Sequence, residues 1–451
     1  MHSFRYHDGQ LHCEDVDLSE AAGQFGTPLY VYSAGTILDH YVRLDQALSP
    51  LNHLICYAVK ANSNRAILSL LADAGAGFDI VSGGELFRAI SAGADPRKCT
   101  FAGVGKTRDE IEYALAQRVY SFNVESESEL GLIDKIAREK NVRAPIALRV
   151  NPDVDPHTHK YISTGSQENK FGIALTDAPA VYERAEKMRN LEIVGVQMHI
   201  GSQITEAAPF AAAIDKVAPL ARHLKSKYGI KFFSIGGGMG IIYRRALESG
   251  AGKWWHDHGG ESSAFSVPDY ANAIVPPLRD LGLHVLLEPG RFLIGNAGIL
   301  LTRVLYIKSA GQKKFVIVDA GMNDLIRPAL YESYHQIVPV TEKILPLPSA
   351  DAQLQRDTSP IGRGDREAAG EGKVDIVGPV CESGDFFALD REMPAVAEGD
   401  LLAIMSAGAY GFTMASNYNS RPLPAEILVR GGEAKLIRKR QTWEDLVRDE
   451  L

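Results

Sequence analysis

The chain has 451 residues, of which 45% are hydrophobic and 23% charged, values typical of a globular protein with a sizeable core. Its 48 Lys and Arg residues against 56 Asp and Glu residues give a net charge of −8. This balance argues against sequence-independent binding to nucleic acid or to an anionic membrane, because both need a basic surplus. At about 150 residues per domain, the length allows two or three domains.

Isolated cysteines and a polar N-terminus indicate the compartment. No CxxC pair is present, so neither a zinc site nor a disulfide framework is expected, and single thiols suit a reducing compartment. The N-terminal MHSFRYHDGQ lacks the apolar segment of a secretory signal, and no apolar run reaches the roughly 18 residues that span a membrane. We therefore expect a cytoplasmic protein. The cysteines are Cys13, Cys56, Cys99 and Cys381.

Short apolar runs separated by helical segments dominate the first two thirds of the chain. Strands buried on both faces are almost continuously apolar, so each run predicts a parallel strand. After the second run, Ser82 and Glu85 have the spacing of a capping box, and Gly93 follows as a stop signal. The runs are 53–59, 77–81, 99–103, 120–124, 145–150, 193–200, 232–235 and 284–288. Eight such units favour a (β/α)8 TIM-type barrel over a doubly wound sheet.

The chain after residue 290 has a different pattern, with strand-like runs separated by Gly, Pro and Asp and few helical signals. This pattern predicts a separate, mostly β C-terminal domain. The segment 348–372 is polar and rich in Gly, Ser and charge, so we expect a mobile insertion there. A further loop is expected at KWWHDHGGESS (253–263), inside the barrel section. The pairs His157/His159 and His256/His258 have no acidic or Cys partner at a metal-binding spacing, so no metal site is predicted.

Reactive side chains stand at the downstream ends of the predicted strands. In a barrel these ends share one face, and catalysis occurs on that face. Residues spread over more than 200 positions of the sequence therefore have a way to converge on one pocket. These residues are Lys60, Asp79, Arg149, His199, Gly236, Gly237, Gly238 and Glu288.

Two of these segments have both a chemical and a structural interpretation. Lys60 follows an apolar strand, where poor hydration lowers the pKa of an amine and favours a nucleophile, although a lysine at a strand end more often only extends to water. The glycines of IGGGMG (235–240) can close backbone N–H groups around a phosphate or simply form a tight turn. Ile241 excludes a Rossmann fingerprint there, and Thr100 excludes a P-loop in FAGVGKT (101–107).

The remaining candidates are equally open. His199 suits a metal ligand, a general base, a ring that stacks on a flat cofactor, or a core histidine. In EPGR (288–291), Glu288 could hold a protonated ring nitrogen and Arg291 could clamp an anion, or the two could form a surface ion pair. Arg327 and Tyr331 share one face if they lie on a short helix. Cys381 is an isolated thiol of a kind that is usually a small buried hydrophobe.

Together these segments resemble one family. The barrel-type (fold-type III) pyridoxal-phosphate (PLP) decarboxylases, and among them the diaminopimelate decarboxylases, contain in this order the motifs YAVKAN, FDIVSGGEL, LRVNPD, HIGSQ, GGGMG, EPGR, DAGMNDLIRP, CESGD and GAYGF. The resemblance covers residues 27–424. Only the lengths of 245–266 and 348–372 depart from the family pattern.

The resemblance implies a cofactor site. Lys60 would bind PLP covalently, His199 would stack on its ring, and Glu288 would pair with the ring nitrogen. Residues 1–28 would join the β domain, with the barrel at 29–290 and the β domain at 291–451. The cofactor residues would be Lys60, Asp79, Arg149, His199, Ser202, Gly238, Gly240, Glu288, Gly290, Arg291 and Tyr410.

The resemblance also implies a reaction. The chain would decarboxylate meso-2,6-diaminopimelate to L-lysine and CO2, the last step of lysine biosynthesis, with Lys60, His199 and Cys381 as catalytic residues. The enzyme would be a homodimer in which Cys381 and Glu382 serve the partner's site. The substrate would contact Arg291, Arg327, Tyr331, Glu382 and Tyr410.

Three alternatives are open at this point. A decarboxylase acting on ornithine, arginine or carboxynorspermidine would use the same cofactor. A non-catalytic PLP-binding relative tends to lose Lys60, Cys381 or Arg327, and all three are present. The last alternative is a barrel protein that binds no cofactor.

Overall fold

The computed structural model describes residues 2–155, 170–250, 266–342 and 372–451. The chain divides into two compact units, the barrel unit and the β unit. The two histidine pairs, the loop expected at 253–263 and nearly all of the insertion expected at 348–372 lie outside the described residues. The barrel unit contains His2, Ser33–Gly298 and Gly408–Thr413. The β unit contains Ser3–Tyr32, Ile299–Ala407 and Met414–Leu451.

The elements are numbered here in chain order. The strands are β1 (Phe4–His7), β2 (Gln10–Cys13), β3 (Val16–Asp17), β4 (Leu29–Ser33), β5 (His53–Ala58), β6 (Gly77–Ile80), β7 (Cys99–Phe101), β8 (Ser121–Val124), β9 (Ala144–Asn151), β10 (Ile173–Ala174), β11 (Leu191–Met198), β12 (Phe232–Ser234), β13 (His284–Leu287), β14 (Gly298–Ala310), β15 (Lys313–Val318), β16 (Ile337–Pro339), β17 (Gly372–Val377), β18 (Phe386–Met393), β19 (Leu401–Ile404), β20 (Ala425–Arg430) and β21 (Glu433–Arg438). The helices are α1 (Leu18–Phe25), α2 (Ala34–Ala47), α3 (Arg65–Asp73), α4 (Gly83–Ser91), α5 (Arg108–Gln117), α6 (Glu127–Glu139), α7 (Ala178–Glu186), α8 (Ala208–Tyr228), α9 (Val267–Arg279), α10 (Arg291–Ile294), α11 (Arg327–Tyr331) and α12 (Trp443–Val447).

The barrel unit is a closed parallel barrel. Its strands follow the order β9-β11-β12-β13-β5-β6-β7-β8, and β8 pairs with β9 to close the ring. All eight predicted runs are barrel strands, so the (β/α)8 prediction is confirmed and the doubly wound alternative is wrong. Because every strand is parallel, the strand ends that carry the candidate residues open on one face.

The second βα unit illustrates how the sequence sets a helix start. The hydroxyl of Ser82 accepts the backbone N–H of Glu85 at 3.2 Å, which fixes the beginning of α4. The carboxylate of Glu85, however, accepts the N–H of Val81 at 2.7 Å instead of the N–H of Ser82. The expected capping box is therefore displaced by one residue towards the strand. Gly93 lies just beyond the helix with φ 92°, as the stop signal indicated.

Apolar side chains from several strands pack together inside the barrel. A buried cluster unites Cys56, Ala147, Val194, Phe232 and Leu286. Gly195 is required beside this cluster, because a Cβ there would lie 2.5 Å from the ring of Phe232. The cluster gives the polar strand ends a rigid base.

The β unit is mostly β-structure, as predicted. One sheet has the order β18-β17-β15-β14-β4-β20-β21, with β19 pairing both β14 and β16. The N-terminal strands β1, β2 and β3 form a small antiparallel sheet in the same unit. Among the described residues, no helix is long and apolar enough to cross a membrane.

Candidate active site

Lys60 and Asp79 form an ion pair at the mouth of the barrel. Nζ of Lys60, in the turn after β5, donates to Oδ2 of Asp79 on β6 at 2.7 Å. The Asp79 side chain is buried, whereas 41% of the Lys60 side chain is exposed. The second oxygen of Asp79, Oδ1, is buried without a hydrogen-bond partner in the described part of the chain. The amine is thus held by one carboxylate yet accessible from the mouth.

The pKa of Lys60 is raised, which corrects the expectation that poor hydration lowers it. Desolvation is the largest influence and does lower the pKa, but the negative charge of Asp79 and its hydrogen bond, with smaller contributions from Tyr410 and Glu288, outweigh it. The Lys60 amine is therefore protonated, as an ammonium ion, beside Asp79.

Glu288, at the end of β13, is buried and held from two sides. Its Oε1 accepts the hydroxyl of Ser234 at 2.7 Å, and its Oε2 accepts the amide of Gln197 at 2.9 Å. Burial, followed by the charge of Asp79, raises its pKa to about 7. The charge of Lys60 acts on Glu288 in the opposite direction. The surface ion pair considered for EPGR is therefore wrong, since Glu288 is only 6% exposed.

Sequence reasoning missed the residues that orient Glu288. Gln197, Ser234 and Asn123 each lie on a barrel strand, and Asn123 approaches Oε1 of Glu288 at 3.5 Å. A signal was present in the sequence, because each is a polar residue near the downstream end of a mostly apolar strand. Without a known barrel interior, that pattern does not say which carboxylate they support.

His199 lies directly after β11 and contacts the glycine segment. Its Nδ1 accepts the backbone N–H of Gly237 at 3.2 Å, so the proton of the neutral ring is on Nε2. Burial, then the positive charges of Arg149 and Lys60, lower its pKa well below the ordinary value. His199 is therefore neutral near pH 7. No cluster of metal-binding side chains occurs among residues 2–155, 170–250, 266–342 and 372–451.

The glycines after β12 permit backbone contacts that no side chain would allow. A Cβ on Gly237 would lie 2.2 Å from the carbonyl oxygen of Glu288, and a Cβ on Gly238 would lie 2.6 Å from that of Gly201. Gly238 also has φ 118°. A Cβ on Gly240 would lie 2.8 Å from a third carbonyl oxygen. These glycines form a close-packed main-chain segment, called the glycine cradle here, in which the N–H of Gly237 donates to His199 and the N–H of Gly240 donates to the carbonyl oxygen of Ile204.

Arg291 and its neighbours stand beside that cradle. Its guanidinium donates to the hydroxyl of Ser202 from Nε at 3.3 Å and from Nη2 at 3.1 Å, and to the hydroxyl of Tyr243. It also lies over the ring of Tyr410, 5.0 Å from the ring centre. Gly290 precedes it, where a Cβ would lie 3.0 Å from that of Ala61. Arg291 is 6% exposed, so it carries a largely desolvated charge.

Arg149 is buried and paired with a carboxylate that the sequence analysis did not single out. Its Nη1 lies 3.2 Å from both oxygens of Glu125, and its guanidinium carbon is 4.8 Å from the ring centre of Phe171. Glu125 also accepts backbone N–H groups from Gly103 at 2.8 Å and Gly172 at 3.1 Å. Glu125, which is itself held by the N–H groups of Gly103 and Gly172, thus fixes Arg149 at the mouth of the barrel.

The lysine of the rejected P-loop has a structural role. Lys106 is buried and donates to Glu129 at 2.6 Å and to the carbonyl oxygens of Gly103 and Asn123, each at 2.8 Å. Glu129 also accepts the N–H of Glu125 at 2.8 Å. This buried pair supports the strand end behind Arg149 and is not a phosphate site.

The remaining predicted residues lie in the β unit. Arg327 begins α11, is 5% exposed, and donates to Ser333 at 3.3 Å and to Nε2 of His335 at 3.5 Å. Nδ1 of His335 is 2.8 Å from the carbonyl oxygen of Met405, which assigns the ring proton to Nδ1. Tyr331 ends the same helix. His335 and Ser333 therefore orient the guanidinium of Arg327. The sequence analysis named Arg327 but neither of these two partners.

Cys381 and Glu382 lie in an exposed turn of the β unit. The other three cysteines are buried, so the expectation of a buried hydrophobe is wrong for Cys381. Asp385 holds this turn by accepting the N–H groups of Val380 and Met322, each at 2.6 Å. Both residues are exposed, and the Glu382 carboxylate accepts the N–H of Gly384 at 3.4 Å.

Comparisons with known proteins agree on one family. Residues 34–295 match the pyridoxal binding domain of the pyridoxal-dependent decarboxylases. The diaminopimelate decarboxylase of Pseudomonas aeruginosa is 47% identical over 99% of this chain and 98% of its own length. The diaminopimelate decarboxylase of Aquifex aeolicus is 46% identical over 99% of this chain and 97% of its own length. The Helicobacter pylori diaminopimelate decarboxylase complexed with L-lysine superposes with a TM-score of 0.84 at 39% identity, covering 96% of this chain and 98% of its own. The M. jannaschii enzyme in co-complex with L-lysine gives 0.86 at 36% identity, covering 100% and 98%.

Proposed function

The chain belongs to the diaminopimelate decarboxylase family of pyridoxal-dependent decarboxylases, and from this premise we propose that it converts meso-2,6-diaminopimelate to L-lysine and CO2. This reaction is the last step of lysine biosynthesis. The observation that carries the proposal is the placement of an accessible amine and a buried acid after neighbouring strands. Lys60 follows β5 and Glu288 follows β13, these two strands pair in parallel, and Glu288 is held by donors on both oxygens.

The residues present fit pyridoxal phosphate. Oδ1 of Asp79 is a buried acceptor without a partner in the described residues, beside the amine that would carry the cofactor. The glycine cradle packs against main chain only because Gly237, Gly238 and Gly240 have no side chains, and in our assignment this segment would face the phosphate. Arg291 adds a buried cation. Ser202 and Gly290 complete the phosphate side in our assignment.

Bound pyridoxal phosphate supplies an electron sink for the pair released when a carboxylate leaves the substrate. Glu288 would hold a proton on the ring nitrogen, and Ser234 and Gln197 fix the carboxylate that does so. His199, neutral and oriented through Gly237, would present the flat face of its ring to the cofactor. Asp79 would keep the amine of Lys60 in place, and Arg149 and Tyr410 would border the ring. An acid at the ring nitrogen favours decarboxylation over racemisation, since it strengthens the sink.

The substrate assignment uses the β unit. Arg327, with Arg291, offers a guanidinium for the carboxylate that does not react, and Glu382 suits the distant ammonium. Tyr331 and Tyr410 would complete this subsite. A decarboxylase for ornithine or arginine needs no such guanidinium, so a site built on Arg327 rejects those substrates.

We assign the protein to a homodimer in the cytoplasm. Cys381 and Glu382 are both exposed in the single chain, as groups that complete a partner's site need to be. Cys381 would deliver a proton to the substrate carbon that lost its carboxylate. An exposed unpaired thiol also suits a reducing compartment.

Release of CO2 from each candidate substrate tests the function. We expect L-lysine from meso-diaminopimelate and little or no release from ornithine, arginine or carboxynorspermidine. Lys60→Ala should abolish turnover and remove the visible absorbance of the covalently held cofactor. Cys381→Ala should keep that absorbance and lose most turnover. No lysine from meso-diaminopimelate would defeat the proposal.

A further inference from the structure

We propose that Asn419 is a positioning residue for Cys381. The side-chain oxygen of Asn419 accepts the backbone N–H of Cys381 at 3.0 Å and so fixes the turn that carries the thiol. This inference rests on the proposed function, in which Cys381 delivers a proton. Asn419 acts through Cys381 and is not itself expected to touch the substrate.

The amide of Cys381 ties its turn to the segment that contains Asn419. The neighbouring N–H groups are used within the turn: Val380 donates to the Asp385 carboxylate at 2.6 Å, and Glu382 donates to the Val380 carbonyl at 2.8 Å. Asp385 in turn donates to the Glu382 carbonyl at 3.0 Å. The N–H of Cys381 instead leaves the turn and reaches Asn419, 38 positions along the chain. Removing that acceptor frees the peptide next to the thiol while the turn persists.

Asn419 is presented by a segment that is itself anchored. Its φ of 55° and ψ of 28° lie in the left-handed region, which Asn tolerates better than most residues. Before it, Asn417 donates to the side chain of Gln441 at 2.6 Å. After it, Arg421 donates to the carbonyl oxygen of Asp319 at 2.6 Å. The acceptor is therefore fixed on both sides within the β unit.

This arrangement has a specific kinetic consequence. A proton donor is effective only within hydrogen-bond reach of the reacting carbon, so rotation of its backbone slows proton delivery. The N–H of Glu382 keeps its own bond to Val380, so we expect Glu382 to stay in place when the Asn419 contact is lost. Loss of the contact should therefore lower kcat and leave KM nearly unchanged.

Three variants of the holoenzyme separate the acceptor from the backbone conformation. Asn419→Gly keeps the left-handed backbone and deletes the acceptor, whereas Asn419→Asp keeps an acceptor. Ser420→Gly is the matched control, because Ser420 has a similar φ of 53° and its replacement leaves the acceptor in place. We expect kcat to fall about 2- to 10-fold in Asn419→Gly, the range for one lost hydrogen bond, with recovery in Asn419→Asp and no loss in Ser420→Gly.

Two further measurements distinguish positioning from a general structural effect. Amide hydrogen exchange of the peptide containing Cys381 should be about 2- to 10-fold faster in Asn419→Gly alone. In a Cys381→Ala background, Asn419→Gly should cause no further loss of kcat, because the thiol through which it acts is gone. An equal loss in both backgrounds, or unchanged exchange in Asn419→Gly, would overturn the inference.

The failure of this inference differs from failure of the proposed function. If the unmodified protein releases no CO2 from any candidate substrate, the decarboxylase function is defeated, and amide exchange still decides whether Asn419 holds Cys381. If turnover is normal and exchange at Cys381 does not respond to Asn419→Gly, the function stands and the inference fails.

Discussion

Replacing Glu288 by Gln should stabilise the cofactor-free protein while abolishing its chemistry. Glu288 is 6% exposed, and burial, then the charge of Asp79, raise its pKa from 4.5 to about 7. The folded chain thus has to accommodate a carboxylate that would ionise more readily in the unfolded chain. A neutral amide of the same shape removes this cost.

The size and the pH window follow from the pKa. A rise from 4.5 to about 7 corresponds to about 3 kcal/mol. Below about pH 4.5 the carboxyl is protonated in both states, and the rise has no effect on stability. Between about pH 4.5 and 7 the unfolded chain has lost this proton and the folded chain retains it, so stability falls as pH rises. Glu288→Gln should therefore be more stable than the unmodified protein by up to about 3 kcal/mol at pH 8.

Local geometry allows the amide to be accommodated. The Gln oxygen can accept from Ser234, as Oε1 of Glu288 does now. Oε1 of Gln197 is buried without a partner in the described chain, so a rotated Gln197 amide can accept from the new N–H2 group. Each side of the replaced group then retains a hydrogen bond.

Urea unfolding of the cofactor-free protein at pH 5 and pH 8 measures the effect. The variant's midpoint should exceed that of the unmodified protein clearly at pH 8 and only slightly at pH 5. Glu129→Gln is the matched control, because it leaves the buried ammonium of Lys106 without its carboxylate and should destabilise the protein. Equal destabilisation by Glu288→Gln at both pH values would refute the reasoning.

Three further outcomes are expected. Gly237→Ala places a Cβ 2.2 Å from a main-chain carbonyl oxygen, so it should lower the free energy of unfolding in urea by about 1–3 kcal/mol. It should also weaken cofactor binding in a titration. Gly105→Ala is the control, because its Cβ has open space around it and should change neither quantity. Arg327→Lys loses the planar fork and should raise KM for meso-diaminopimelate about tenfold or more in steady-state kinetics; an unchanged KM would remove Arg327 from the substrate site. Lys106→Met leaves the buried Glu129 carboxylate without its cation and should cost about 3–5 kcal/mol in urea unfolding. Adding Glu129→Leu should restore only part of that loss, because the backbone groups that bind Lys106 and Glu129 still lose their partners.

The barrel and its strand-end residues were accessible from the sequence because both depend on local periodicity. Continuous apolar runs define the parallel strands, and the parallel arrangement forces the residues at their ends onto one face. Lys60, His199 and Glu288 could be named for that reason alone. Their roles with the cofactor, and the substrate, came from the family resemblance and not from periodicity.

The partners of these residues could not be predicted in the same way. The Glu125 carboxylate that holds Arg149 and the His335 ring that orients Arg327 depend on how separate segments meet. The predicted lowering of the Lys60 pKa was wrong for a related reason. Burial alone was visible in the sequence, whereas the outcome depended on a carboxylate 2.7 Å from the amine.

The ammonium state of Lys60 has a consequence for how the enzyme becomes active. An ammonium ion has no lone pair, so in the proposed function Nζ would have to give up a proton before it could hold the cofactor. Binding of pyridoxal phosphate to the cofactor-free protein should thus become faster as the medium becomes more alkaline.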